Sequence, residues 1–182
     1  MNIIIKPQDS EFCYCRPDTT WERENKDFYV PENVVTLYWA PILFARVSKA
    51  GKCINPKFVS RYYDAFNFGM LIYTDEENIA FSSCADHSSM LPFPLYNNIV
   101  MEGEGNEYKV FKGCEQIFNA VAERNLIEDA ICKASQKTSV RIGDFVAAEL
   151  DSLKVLARRD EGKTEIKASF CENELYGFKL IF

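Results

Sequence analysis

The sequence predicts an α+β domain in which strands dominate and two or three helices are set between hairpins. Apolar residues make up 47% of the 182-residue chain and charged residues 26%, which is ordinary globular composition. Short strand-like runs separated by turn residues recur along the chain, whereas helical periodicity is confined to a few stretches. The elements therefore do not alternate as βαβ units, and residues 1–182 are predicted to form a single domain.

The first half of the chain supplies the longest predicted strand. Residues 12–21 and 26–30 are predicted as short strands with a turn at "RPDTT". The continuous apolar run Leu37–Val47 predicts a strand that is buried on both faces. The Asn-Pro pair that follows is a helix start, and apolar residues at helical spacing extend the predicted helix over 55–68. Gly69 ends this helix, and a strand is expected at Met70–Thr74.

The second half is predicted to contain hairpins and one amphipathic helix. Residues 82–94 are rich in Ser and Pro and are expected to be irregular, and the acidic stretch 102–107 is interpreted as a solvated turn rather than a calcium loop. The remaining predictions are a hairpin formed by Tyr108–Phe111 and Gln116–Phe118, a helix around Leu126–Ala134, a strand, Gly-Asp turn and strand in "VRIGDFVAAEL", and a closing hairpin turned at Glu172-Asn173.

Charge and hydropathy exclude two classes of partner. The formal net charge is −6 and no stripe of Lys or Arg is present, so we expect no nucleic-acid partner. The longest apolar runs fall far short of the roughly 20 residues that span a bilayer, so we expect no membrane contact. The start, "MNIIIKPQDSE", lacks a signal-peptide core. The predicted location is the cytoplasm.

The seven cysteines, an odd number, do not form a disulfide framework. In a reducing compartment they are expected to act as small buried hydrophobes. Cys13 and Cys15 would share one face of a strand and could hold a metal, but a C-x-C pair without a second pair is a weak signal. His87 is the only histidine, which excludes a mechanism that needs two imidazoles within one chain. No metal site is predicted from these residues.

Several strings and their order resemble the C-terminal domain of the fumarylacetoacetate hydrolase family, particularly its short bacterial members. They are "CRPDTTWERENKDFYVP", "RVSKAGKCINPKFVSRYYDAFNFGM", "NLIEDAICKASQKTSVRIGDFV" and the closing hairpin, which together cover almost the whole chain from Phe12 onward. The resemblance implies a compact mixed β-roll and a homodimer. It also implies Mg, Mn or Ca as the cofactor, held in active members by a Glu-x-Glu pair and a further Asp.

The positions that match these metal ligands carry no carboxylates. Counting from the Gly51-Lys52 turn places the Glu-x-Glu pair on Ala40 and Ile42, and counting from Gly69 places the Asp on Leu71. The family's Lys falls at Ser82 or Ser83, in a stretch that has no Lys, and its Gly-Thr loop is replaced by residues 148–151. We therefore expect a degenerate member with no metal, no cofactor and no catalytic residues. Core packing is expected to have overwritten the metal site.

A few polar residues remain as candidates for a residual cleft. Arg16, Asp18 and Arg61 could form an anion pocket or a structural ion pair. Asp64, predicted on the helix beside Arg61, could line a cleft or be a surface charge, and Glu149 could be a relocated ligand. Two further patterns stay open: the cluster at 86–89 as a nucleophile with a base, and the aromatic stripe as core or as partner surface, the latter formed by Tyr62, Tyr63, Phe66 and Phe68.

The leading functional hypothesis is a catalytically inactive relative with a binding, scaffolding or regulatory role and an unnamed ligand. The alternative is a divergent metal-dependent hydrolase, decarboxylase or isomerase that acts on acylpyruvate-like 2-oxo acids. Its relocated ligands would come from Asp64, Asp75, Glu76, Asp86 or Glu149. At least two of these carboxylates around one cavity would favour the alternative.

Overall fold

The computed structural model describes residues 1–103 and 106–182. The acidic stretch 102–107, predicted as a turn, therefore lies partly outside the described residues. The strands are β1 Ile3–Lys6, β2 Tyr14–Arg16, β3 Trp21–Glu22, β4 Phe28–Tyr29, β5 Thr36–Val47, β6 Tyr63–Tyr73, β7 Ser89–Met90, β8 Tyr96–Asn97, β9 Glu107–Lys112, β10 Glu115–Val121, β11 Phe145–Glu149, β12 Lys154–Arg158, β13 Lys163–Phe170 and β14 Asn173–Ile181.

Two α-helices and four short 3-10 helices connect the strands of this described part of the chain. The α-helices are α1 Ile79–Ser82 and α2 Arg124–Lys137, and the 3-10 helices are Asp18–Thr20, Pro56–Arg61, Asn98–Glu102 and Arg159–Glu161. The fold is thus mostly β, as the sequence predicts. None of the described helices is both long enough and apolar enough to cross a bilayer.

The described strands form two sheets. The larger sheet has nine strands in the order β2-β1-β11-β5-β6-β7-β3, with β12 paired to β5 and β8 paired to β6, and it curls into a half-barrel. The smaller sheet has five strands in the order β10-β9-β13-β14-β4. The long antiparallel pair of β5 and β6 is the backbone of the larger sheet, and β11 pairs antiparallel with the other edge of β5.

The sheet has an apolar layer on each face, because β5 and β6 alternate apolar side chains with period two and both sides are buried. One face, here called the inner face, carries Ala40, Ile42 and Leu71 with their apolar neighbours. The opposite face packs against the smaller sheet and α2, and it forms the larger core. The prediction that β5 is buried on both faces is confirmed.

The helix predicted over 55–68 is wrong. Asn55 caps a helix as expected, its side chain accepting a 2.9 Å hydrogen bond from the backbone N–H of Lys57, but that helix is a 3-10 helix that ends at Arg61. From Tyr63 the chain is strand β6, and Gly69 lies inside the strand. The apolar residues after Arg61 sit on both faces of the sheet, so β-pairing with β5 overrides their helix-like spacing.

Other element predictions are confirmed with smaller changes. The hairpin of β9 and β10, helix α2 and the closing hairpin of β13 and β14 are present. The first strand expected in "VRIGDFVAAEL" is only an isolated bridge between Val140 and Gly51, and the irregular stretch 82–94 contains β7. The N-terminal strand Ile3–Lys6, which pairs with β11, is absent from the sequence-based prediction.

Candidate functional site on the inner face

The three positions that the sequence resemblance assigns to metal ligands converge in the structure. Ala40 on β5 lies directly opposite Leu71 on β6, and Ile42 lies two residues further along the same face of β5. All three side chains are 0% exposed. They pack in one cluster with Ile3, Ile5, Phe44, Tyr73, Leu91, Phe145 and Ala147.

A divalent metal does not fit these three positions. Mg²⁺, Mn²⁺ and Ca²⁺ take mainly oxygen ligands, whereas Ala40, Ile42 and Leu71 offer none from their side chains. An ion placed among them would lose its hydration without compensation. Among residues 1–103 and 106–182 no group of three or more His, Cys, Asp or Glu side chains is arranged to hold a metal. These three side chains therefore support no chemical step through a metal.

A polar network crosses the inner face beside the apolar cluster. The Tyr73 hydroxyl donates to the Glu149 carboxylate, and the Tyr14 and Tyr73 hydroxyl oxygens are 2.5 Å apart. Because Tyr73 has one hydroxyl proton and gives it to Glu149, Tyr14 is the donor to Tyr73. The other Glu149 oxygen accepts from the backbone N–H of Gln8 at 3.3 Å. The network thus joins β2, β6 and β11.

Arg16 is the cation of this network and is almost completely buried. Its Nη1 donates to the Ser88 carbonyl at 3.2 Å and to the Ser89 hydroxyl at 3.1 Å, and its Nη2 donates to the Ile72 carbonyl at 2.9 Å. The guanidinium carbon lies 4.3 Å from the centre of the Tyr73 ring. Planar donors and a stacked ring are the contacts that distinguish Arg from Lys. Arg16 therefore fixes the position of Tyr73.

Burial controls the ionisation of this network. It raises the pKa of the Glu149 carboxyl, although the Tyr73 and Gln8 hydrogen bonds and the charge of Arg16 act in the opposite direction. Burial also raises the pKa of Tyr14, and that of Tyr73 well above its ordinary value. The hydroxyls are therefore neutral donors at physiological pH, and Glu149 has a greater tendency to hold a proton than an exposed glutamate.

A cavity of about 350 Å³ opens at one end of the inner face. Tyr38 and Tyr73, which face each other across β5 and β6, form part of its wall. Ser82, which the sequence resemblance assigns to the family's Lys, also lines it, and its carbonyl accepts a 3.0 Å hydrogen bond from the Thr74 backbone. The mouth of the cavity is acidic, because the side chains of Asp75, Glu76 and Glu77 line it.

The structure does not bring the other predicted cleft residues into this site. Asp18 is exposed in the first 3-10 helix, and the Arg61 guanidinium lies 5.1 Å from the Phe58 ring centre. Among the described residues no ion pair or hydrogen bond joins Arg16, Asp18 and Arg61, so the contacts support neither the anion pocket nor the structural ion pair. Asp64 lies on strand β6, not on a helix, and forms a 2.9 Å ion pair with Arg46 instead of Arg61.

The cluster at 86–89 does not form a nucleophile with a base. His87 Nδ1 lies 2.9 Å from a carboxylate oxygen of the buried Glu22, and no hydrogen bond joins it to a serine of this described segment. The hydroxyls of Ser88 and Ser89 instead contact Arg16. In the aromatic stripe, Tyr63, Phe66 and Phe68 are buried, so for these three the core interpretation is correct.

Tyr14 and Tyr73 are the functional candidates that the sequence-based analysis missed. They lie 59 positions apart, and no local motif links them. Period-two alternation places Tyr73 on the same face as Leu71, and Tyr14 on the same face as Arg16. The missing information was the pairing of β1 with β11, which brings β2 to this face.

Comparison with solved structures places the chain in a known fold class. The order of strands, the curled sheet and the inner face define a mixed β-roll, and several of the similar structures are named as proteins of the fumarylacetoacetate hydrolase type. A protein assigned to that family from Yersinia pestis superimposes with a TM-score of 0.79 at 10% identity, over 99% of this chain and 92% of the other. The resemblance seen in the sequence is confirmed for the fold.

Two enzymes of known activity are similar to the same extent. Fumarylpyruvate hydrolase from Pseudomonas aeruginosa, solved with Mn²⁺ and pyruvate, gives a TM-score of 0.77 at 11% identity over 100% of this chain and 88% of that enzyme. Maleylpyruvate hydrolase from Sphingobium gives 0.77 at 11% identity, over 99% and 69%. No family model and no curated protein matches the sequence. The chain has the fold of these hydrolases, and identities this low show the fold alone.

Proposed function

We propose that this chain is a non-catalytic protein of the fumarylacetoacetate hydrolase fold with a binding or regulatory role. One observation supports the proposal: Ala40, Ile42 and Leu71, which the sequence resemblance assigns to the metal-ligand positions, are completely buried in one apolar cluster. A hydrolase of this type needs a cation and an activated water at that place. In this chain the side chains of Ala40, Ile42 and Leu71 fill that place, and they can neither bind a cation nor activate a water molecule.

The acidic mouth of the inner-face cavity supports this proposal. Pyruvate and acylpyruvates are anions, and a fumarylpyruvate hydrolase of the same fold holds pyruvate together with Mn²⁺. In this chain Asp75, Glu76 and Glu77 line the entrance, and their charge repels an anion unless a cation compensates. The cavity is therefore better suited to a neutral or cationic ligand than to a 2-oxo acid.

The rival function is a divergent metal-dependent enzyme that acts on acylpyruvates. Asp75 and Glu76 line one cavity, which meets the condition set from the sequence. The Asp75 carboxylate, however, already accepts hydrogen bonds of 2.9 Å from the backbone N–H groups of Val35 and Thr36. Glu149 is likewise held by Tyr73 and Gln8. These carboxylates thus have structural partners that a metal would have to displace.

Titration with Mn²⁺, followed by a turnover assay with fumarylpyruvate, tests the proposal. The free Mn²⁺ signal in electron paramagnetic resonance measures binding directly, and the Pseudomonas aeruginosa enzyme is the positive control. We expect no stoichiometric binding at micromolar Mn²⁺ and no turnover. Stoichiometric binding together with turnover that is lost in Glu76→Gln or Glu149→Gln would contradict the proposal and establish the rival.

Homodimer formation remains a separate proposal that rests on the family resemblance. Light scattering on the eluting peak of a sizing column gives the mass directly. A mass near twice 20.9 kDa supports a dimer, and a mass near 20.9 kDa contradicts it.

A further inference from the structure

A second cavity, of about 430 Å³, lies on the side of the larger sheet opposite the inner face. It is here called the α2 cavity, because the C-terminal part of α2 forms one wall and the segment around β2 forms the other. Alternation along this segment separates the two sites. Tyr14 and Arg16 belong to the inner-face network, whereas Cys13 and Cys15 line the α2 cavity. A ligand in one cavity therefore does not touch the other.

The walls of the α2 cavity are largely apolar. Ile4 and Ala134 are buried at its base, and the side chain of Phe12 stands at its edge with 77% of the residue exposed. Covering an exposed phenylalanine beside a concave apolar wall removes apolar surface from water, which favours ligand binding. The volume lies within the range of sites that bind small molecules.

Within the described residues, the charges at this cavity leave the Lys137 ammonium without a counter-ion. Lys133 is paired, because its Nζ lies 2.8 Å from a Glu11 carboxylate oxygen and 3.0 Å from an Asp129 oxygen. Lys137, in the last turn of α2, lines the same cavity and makes no ion pair within residues 1–103 and 106–182. Its neighbours Gln136 and Thr138 add an amide and a hydroxyl at the rim. The polar end of a ligand would thus meet an ammonium group and neutral donors.

We propose that the α2 cavity binds a small aliphatic carboxylate. Its hydrocarbon chain packs against Ile4, Phe12 and Ala134, and its carboxylate pairs with the Lys137 ammonium. An aliphatic amine of the same length would place its charge beside Lys137 and be repelled. An aliphatic alcohol would fill the apolar wall but leave Lys137 without a partner. This proposal is independent of whether the inner face is catalytic.

The two cysteines in the wall allow binding to be measured at this cavity specifically. Cys13 and Cys15 line it, whereas Cys53, Cys84 and Cys114 are exposed and lie outside its wall. The experiment follows iodoacetamide labelling of each cysteine by peptide mass spectrometry at increasing concentrations of hexanoate. At ten times the dissociation constant, a blocking ligand should slow labelling of Cys15 about tenfold. The other three cysteines should react at unchanged rates.

Matched ligands and variants decide whether the charge matters. Hexylamine and hexanol should protect Cys15 less than hexanoate at equal concentration. Lys137→Met should weaken hexanoate protection about tenfold or more, whereas Lys163→Met, an exposed lysine on the smaller sheet, should leave it unchanged. Phe12→Ser should weaken protection by hexanoate and by hexanol alike.

Three results would overturn the proposal. The first is an absence of Cys15 protection by hexanoate up to about 10 mM, a limit that corresponds to a negligible affinity. The second is equal protection by hexylamine, and the third is full protection in Lys137→Met. Because the readout is labelling of Cys15 and needs no metal or turnover, its failure is distinguishable from failure of the proposed function.

Discussion

The Tyr73 hydroxyl on β6 donates a hydrogen bond to the Glu149 carboxylate on β11, although β5 lies between these strands. Tyr73 is level with Tyr38 of β5, and Glu149 is level with Ile42, so the register places Ala40 between them. The smallest side chain of this part of β5 lies where the tyrosine crosses. Ala40 thus packs in the apolar cluster and also leaves room for the hydrogen bond between Tyr73 and Glu149.

Stability should depend on pH through Glu149. Burial raises its pKa in the folded state above the ordinary value of 4.5, so the folded protein holds the proton more tightly than the unfolded chain. The contribution of this group to stability is fully present below the unfolded pKa and is lost as pH rises through the folded pKa. We expect the free energy of unfolding of the wild type, relative to Glu149→Gln, to fall as pH increases from about 4.5.

Urea denaturation at a series of pH values measures this difference. Glu115→Gln, at an exposed position of β10, is the matched control for the substitution of a carboxylate by an amide. A wild-type stability that rises relative to Glu149→Gln over the same range would show that the charged form of Glu149 is the one that the fold stabilises.

Arg16→Lys should destabilise the protein strongly although the charge is kept. The substitution removes the fork that donates to Ser88, Ser89 and Ile72 and the planar group that stacks on Tyr73. We expect a loss of about 2–4 kcal/mol, since several buried hydrogen bonds to a charged group are broken.

Arg46→Lys is the control for Arg16→Lys. Arg46 pairs with Asp64 at the surface, where an ion pair contributes about 0–1 kcal/mol. Chemical denaturation of both variants at neutral pH gives the comparison. Equal losses of unfolding free energy in the two variants would show that burial does not increase the contribution of Arg16 to stability.

Ala40→Glu should be among the most damaging single substitutions in the chain. It introduces a carboxylate at a position that the sequence resemblance assigns to a metal ligand, and it places that carboxylate in a closed apolar cluster and in the path of Tyr73. We expect a loss of about 4 kcal/mol or more, or failure to fold, because a buried charge without a partner is very unfavourable.

Ala50→Glu, at an exposed position after β5, is the matched control and should cost little stability. Circular dichroism during thermal unfolding separates the two. A stable Ala40→Glu protein would show that the inner face has room for a carboxylate, and its Mn²⁺ affinity would then deserve measurement.

Gly69→Ala should destabilise the β6–β7 contact. A Cβ built on Gly69 would lie 2.2 Å from the carbonyl oxygen of Met90, which is backbone and cannot move aside easily. We expect a loss of about 2–4 kcal/mol. The control is Gly113→Ala, where a Cβ would meet no atom within 4 Å and only the φ of +58° is unfavourable, at about 1–2 kcal/mol.

Urea midpoints of the two glycine variants should therefore differ. A larger loss of stability in Gly113→Ala would show that steric contact with Met90 is not the reason why position 69 requires glycine.

The sequence predicts those parts of the fold in which periodicity and pairing agree. The continuous apolar run of β5 and the closing hairpin of β13 and β14 are recognised because burial and turn residues point to one structure. The helix over 55–68 is wrong because Asn55-Pro56 is a true helix start, but the helix it begins is short. Beyond Arg61 the decisive contact is the long-range register with β5, which no local pattern reveals.

The candidate site, like the fold, could be predicted only in part from the sequence. Ala40, Ile42 and Leu71 could be located from spacing and resemblance, and the structure brings them together on one face. Arg16 and Glu149 could be singled out as polar residues, but not as members of one network. Their link passes through Tyr73, which lies 76 positions from Glu149. That link depends on the topology of the sheet and not on any motif.

Among the strands that the structure describes, the short strand β2 is the outermost of the larger sheet and pairs along one edge, with β1. Edge strands separate from a sheet before interior strands do. If β2 detaches, the network loses Tyr14 and Arg16 at the same moment as the α2 cavity loses Cys15 from its wall. A ligand that holds β2 in place from one side would therefore slow amide hydrogen exchange on the other. Detachment of these three residues would therefore open both separated sites together.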